Sequence, residues 1–163
     1  MMKSRQLGLL PLAALTFAAC ASTDKTKEAG ANTAPLSPGG ADVTAGALPD
    51  AALPKGGCGM ILWTLDVERP IPVFRSVSQK GAEIVIDGAL QNLKLVEADG
   101  DAGFGIYESQ TFSGDGLTVS VRVRFGLGFD GGTYLERGLV SIEKPDGWKA
   151  VIPAAGIAGC RAK

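Results

Sequence analysis

Leu117-Thr118-Val119-Ser120-Val121-Arg122-Val123-Arg124-Phe125 alternates apolar and polar residues without a fault. Leu117, Val119, Val121, Val123 and Phe125 share one parity. Thr118, Ser120, Arg122 and Arg124 share the other. Successive side chains of a strand point to opposite faces, so this period of two marks a half-buried β-strand. The same reading extends outward to Met60–Asp66, Ile71–Arg75, Ala82–Asp87, Leu90–Ala98, Phe104–Phe112, Tyr134–Glu143 and Trp148–Ile152. Between these runs lie Asp87-Gly88, Asp99-Gly100-Asp101, Gly114-Asp115-Gly116, Asp130-Gly131-Gly132 and Pro145-Asp146-Gly147. Such pairs favour hairpin turns, because glycine supplies positive φ and Asp tolerates it. No stretch carries a capped apolar period of 3.6. About seven or eight short strands at roughly ten-residue spacing predict an all-β domain, a small antiparallel barrel or sandwich. Its interior is expected to hold Val119, Val121, Val123 and Phe125 with Leu62, Ile84, Ile86, Ile106 and Val140.

The strand pattern begins abruptly at Gly56-Gly57-Cys58, which places the domain at 56–163. Upstream, residues 20–55 are rich in Ala, Gly, Pro and Thr and poor in large apolar side chains. Such a stretch cannot bury enough surface to offset its ordering entropy, so it is expected to be a disordered tether. As a random coil it would reach about 30–35 Å.

Residues 1–19 begin with Lys3 and Arg5, continue through Leu7–Leu15 and end in small residues before Cys20. Phe17-Ala18-Ala19-Cys20 resembles the lipobox of bacterial lipoproteins, with Phe standing where Leu is usual. The resemblance implies a cleaved signal peptide, a lipidated Cys20 sulfur and an acylated new amino terminus. The apolar run is short for a stable membrane span. Ala21 and Ser22 follow without an Asp, which by the familiar sorting rule implies the outer membrane, facing the periplasm.

Charge narrows the partners. The chain has 16 Lys and Arg, 17 Asp and Glu, and no histidine. Removing Lys3 and Arg5 leaves the mature chain mildly acidic, which gives no footprint for nucleic acid. Membrane contact is then expected through the lipid, not through surface charge. The absence of histidine removes Ser-His and Cys-His nucleophile pairs, and no serine sits in a Gly-x-Ser-x-Gly elbow. No cofactor, metal or catalytic residue is predicted. Carboxylate pairs at Asp66/Glu68 and Glu97/Asp99 have the spacing of one sheet face, which solvated faces show routinely. Glu97-Ala98-Asp99-Gly100-Asp101 lacks the EF-hand spacing and reads as a solvated turn.

Cys58 and Cys160 flank the strand region of an expected exported chain, and an even pair in an oxidising compartment is most simply a disulfide. Arg122 and Arg124, on the polar parity of the clearest strand, are the candidate ligand contacts, since arginine forks recognise carboxylates. Trp63 and Trp148 sit among apolar neighbours and read as anchors. Phe125-Gly126-Leu127-Gly128-Phe129 contains a tetrapeptide similar to the carboxylate-binding loop of PDZ domains. Asp130-Gly131-Gly132 turns the chain where that family's peptide-pairing strand would begin, so the segment reads as a glycine-rich strand end. The functional expectation is a lipid-anchored binding or scaffolding module for an envelope protein or polymer. The general outline is also similar to that of periplasmic lysozyme-inhibitor lipoproteins, which implies inhibition of an envelope-degrading enzyme as the alternative. An envelope hydrolase working through carboxylates is the third.

Overall fold

The computed structural model describes residues 44–163 apart from Val67. The expected signal peptide, Cys20 and most of the expected tether lie outside the described residues.

Nine strands run in chain order: β1 Ala45–Gly46, β2 Cys58–Thr64, β3 Pro72–Val77, β4 Gly81–Ile86, β5 Ala89–Gly103, β6 Ile106–Gly114, β7 Leu117–Phe129, β8 Gly132–Glu143 and β9 Lys149–Cys160. From β2 to β9 each strand pairs antiparallel with the next, and β9 returns to pair with β2. The result is a closed eight-stranded up-and-down barrel, with β1 as an extra strand on β4. Closure removes the exposed sheet edges that invite pairing with another chain.

Four of the five expected turns connect consecutive strands: Asp87-Gly88, Asp115-Gly116, Asp130-Gly131 and the loop holding Pro145-Asp146-Gly147. Asp87 and Asp115 hold φ of 52° and 50°, and the flanking pairs Ile86↔Ala89 and Gly114↔Leu117 leave two-residue loops. Positive φ at the first loop residue matches the twist of the strands. Asp99-Gly100-Asp101 is different. It lies inside β5 as a register irregularity between Asp99 and Ala102, and the turn comes later, at Phe104-Gly105. A bulge and a turn both call for glycine and short polar residues, so the local signal does not separate them.

Val119, Val121, Leu62, Ile84, Ile106 and Val140 are fully buried in the interior, with Val123 and Ile86 nearly so. Phe125 packs against the core but is only partly buried. Phe74 and Phe112 meet edge to face at 5.4 Å across the interior. Each such side chain contributes roughly 1.5–3 kcal/mol on burial.

β9 outruns its predicted end by eight residues, Pro153 to Cys160. Five of these eight residues are Ala or Gly, which carry little strand propensity. Tertiary packing requires these small residues: Ala154 and Ala158 are fully buried, and a Cβ on Gly156 would collide with the Ile61 carbonyl oxygen. They let β9 lie close against β2. At the end of that ladder Cys58 and Cys160 are register partners, joined as a disulfide with Cα atoms 3.9 Å apart.

The fold also begins earlier than residue 56. Residues 44–55 form a strap across the outside of the barrel. β1 takes the edge of β4 that β3 has left, pairing with Val85 and Ile86. Leu48 donates its N–H to Pro72 O (2.8 Å), and Leu48 and Leu53 are both buried. Composition predicted a tether here because two isolated leucines do not raise the mean hydropathy of an Ala/Pro/Gly stretch. The two leucines are nevertheless buried, and backbone pairing of β1 with β4 adds to their hold on the strap.

Val121→Asp should unfold the domain, because it places a carboxylate without a partner in the interior, a change worth several kcal/mol. Loss of the far-ultraviolet β signal would show it, and a folded Val121→Asp protein would refute the register. Intact mass should rise by two hydrogens on reduction. Reduction should also lower urea stability by up to about 4.7 kcal/mol, the chain-entropy value for a loop of roughly a hundred residues. Two alkylatable thiols in unreduced protein would refute the link.

Candidate functional site

Strand register places the sequence-predicted arginines. Arg122 pairs with Ser109 of β6 and Leu139 of β8, and Arg124 lies opposite Arg137 of β8. All three arginines are exposed on the outer face. Register shifts at Arg124/Phe125 and Leu135/Gly138 mark a bulge in β8, so Glu136 and Arg137 are both exposed instead of alternating. Like charges directly opposite on a sheet repel. None of the three arginines forms an ion pair among the described residues. They border a shallow, mainly apolar groove of about 430 Å³ that includes Leu65, Leu139 and Pro153. On its other side Arg122 borders a polar trough with Glu97, Asp99, Ser109, Thr111 and Ser120. Alternation back from Val140 already turns Arg137 outward, and the bulge adds Glu136 to the exposed face; what the sequence lacks is the pairing that sets Arg137 opposite Arg124.

Other predicted positions have structural roles or stand apart. Asp66 Oδ1 accepts the N–H of Glu68 (2.9 Å) and of Arg69 (3.3 Å), which shapes the β2–β3 turn. Trp148 packs against the core beneath Lys144, whose Nζ lies 5.7 Å from the ring centroid. Trp63 is half-buried on β2. Among the described residues no three carboxylates or cysteines come together as a metal-binding group. At the end of β7, Thr133 Oγ1 lies 3.2 Å from Gly126 O and 3.3 Å from Leu127 O, tying down the glycine-rich strand end.

A second site emerges where the barrel wall is incomplete. The β4–β5 ladder stops at Ala82↔Leu93, after which β5 pairs with β6 alone. The β3–β4 and β5–β6 hairpins meet again at their tips. There Gly105 sits so close to Ser78 that a Cβ would collide with its hydroxyl, and φ at Gly105 is 72°. Between seam and tips lies a cavity of about 340 Å³, with Ser76, Gln110, Ile106 and Phe112 in its lining and Lys80 and Lys94 exposed beside them. The sequence did carry one signal: Gln110 shares strand parity with Ile106 and Phe112, and Ser76 with Phe74.

The strap is held by electrostatics as well as by leucines. Arg75, on β3, donates to Ala52 O (2.6 Å) and pairs with Asp50 at 3.4 Å and with Glu83. Arg161 Nη1 donates to Leu53 O at 2.9 Å. The Ala52 N–H bonded to Asp50, and then the Arg75 charge, hold the Asp50 carboxyl below its ordinary value of 3.8. Comparison of the chain with protein-family models, curated proteins and solved structures finds no match.

A lowered carboxyl pKa means that protonation is more costly in the folded state. The Asp50 contribution is therefore present above the ordinary value and is lost as pH falls through the folded one. Below pH 3.8, backbone amides of residues 50–53 should exchange faster than at pH 6, after correction for intrinsic rates. Arg75→Ala should loosen the same segment at pH 6 already. Unchanged protection in Arg75→Ala would refute the arginine anchor.

Proposed function

We propose that this chain is a lipid-anchored cell-envelope protein that binds an anionic envelope ligand through the outer face of its barrel. In this reading the chain is cleaved before Cys20, acylated there, and held at the outer membrane facing the periplasm, with the domain tethered on the segment behind the lipid. The observation that carries the binding role is Arg124 directly opposite Arg137, with Arg122 on the same face and no ion pair to any of them. Two facing cations cost stability unless an anion lies against both. Planar guanidinium forks hold carboxylate or phosphate oxygens in pairs, and the neighbouring Leu65 and Leu139 offer apolar contact to a polymer backbone. Glu136, exposed on the same bulge, would limit how much negative charge the face accepts. The role is binding and not catalysis: the chain has no histidine, and the arginines cannot accept a proton at physiological pH.

Cys20→Ser should release the protein into the soluble envelope fraction or leave an unprocessed precursor. A processed, membrane-bound Cys20→Ser protein would overturn the anchor. For the ligand face, Arg122→Ala with Arg124→Ala should leave the fold intact, since exposed substitutions shift stability by no more than about 0.5 kcal/mol. Pulldown from envelope extract at rising salt should then show a partner held by the native chain and lost from the double variant. Capture of the same partners with the same salt dependence would reduce the face to a solvated surface.

A further inference from the structure

The barrel interior is apolar except near one opening. Among the described residues three polar side chains are buried: Ser76, Gln110 and Thr133. Thr133 is satisfied by nearby carbonyl groups. The other two, only 2% and 3% exposed, both line the cavity at the end of the β4–β5 seam. Ser76 Oγ has no hydrogen-bond partner. Gln110 accepts the Tyr107 N–H on Oε1 at 3.3 Å, and its side-chain amide N–H groups bond no protein atom among the described residues. A buried hydroxyl left unbonded costs roughly 1–3 kcal/mol, so an aliphatic residue at position 76 would make the more stable barrel. This unbonded buried hydroxyl, with the Gln110 amide donors free beside it on the same cavity, indicates that the cavity's contents complete the bonding.

The rim gives the charge of those contents. Lys80 and Lys94 are exposed beside the opening, and neither forms an ion pair among the described residues. Ile106 and Phe112, both fully buried, supply an apolar wall. About 340 Å³ is at the small end of the range for ligand pockets, roughly 300–1,000 Å³. The touching hairpin tips bound it on the far side, which disfavours a continuous polymer. A bare inorganic anion would leave the apolar wall unused.

We infer that this cavity binds a small organic acid with an apolar body. The carboxylate meets Lys80 and Lys94 at the rim, the body lies on Ile106 and Phe112, and Gln110 donates to an acceptor on the ligand. The site is separate from the arginine face and does not depend on it.

The test is an NMR titration of the full chain with benzoate, phenylacetate and 4-methylpentanoate. Benzyl alcohol serves as the uncharged control and inorganic phosphate as the anion without a body. At least one acid should give saturable shifts centred on Ser76 and Gln110, with both controls binding at least about tenfold more weakly. Lys80→Ala with Lys94→Ala should weaken the acid by about tenfold or more, the size expected for bonds to a charged group. Gln110→Leu should remove the shifts while the barrel stays folded. Arg122→Ala with Arg124→Ala should leave them unchanged, which separates this site from the ligand face proposed above. Three outcomes overturn the inference: no saturable shift with any of the three acids, equal binding of benzyl alcohol, or full retention in the double lysine variant.

Discussion

Pairing of β9 with β2 is the constraint on which the rest of the structure depends. An eight-stranded meander has two raw edges, and here they are the first and last strands of the barrel. Every residue of β2, from Cys58 to Thr64, finds a partner on β9, and the covalent link falls at the end of that ladder. The closed ring encloses Met60, Phe74, Phe112 and the valines of β7 in one interior. The chain tail beyond β9 also anchors the strap, through Arg161 to Leu53 O and through Gly56 N–H to Arg161 O at 3.0 Å. The segment leading from the amino terminus thus meets the barrel beside the bond that closes it.

Closure is complete on the β2–β9 side and partial on the other. β5 has fifteen residues, β4 only six, and the excess of β5 continues with β6 after the β4 ladder ends. A short strand beside a long one leaves a gap in the wall. Two of the three buried polar side chains among the described residues line that gap. The bulges in β5 and its Glu97, Asp99 and Asp101 suit an edge that would otherwise invite pairing with another chain.

Two groups of cations differ in the company they keep. Arg75 and Arg161 are committed to holding the strap, with carboxylate or carbonyl partners at short range. Lys144 is likewise engaged, by Asp87 at 3.0 Å. Arg122, Arg124, Arg137, Lys80 and Lys94 have no ion-pair partner among the described residues and lie beside a groove or a cavity. In a chain of net charge −1 this separation is a matter of placement and not of excess.

The strand class, all eight barrel strands, the Asp-Gly hairpins and the cysteine pair were legible in the residues alone. Alternation and turn chemistry are local properties, and β7, the clearest strand, has one buried and one solvated face over Leu117–Arg124. The sequence therefore determined the all-β domain, its principal interior residues and the exposure of Arg122 and Arg124. Tertiary structure decided what has no local signature. It chose a barrel over a sandwich, since closure depends on which strands meet. It recruited Ala154, Gly156 and Ala158 into β9, because room beside β2 mattered more than strand propensity. It converted Asp99-Gly100-Asp101 from a turn into a bulge, and it ordered Leu48 and Leu53 against the outer wall. Arg137 faces Arg124 through the pairing of β7 with β8, and Ser76 shares a cavity with Gln110 where the β4–β5 ladder has ended. The arginine face joins two neighbouring strands and the cavity joins β3 with β6, and pairing is a property of the closed sheet, not of any segment within it.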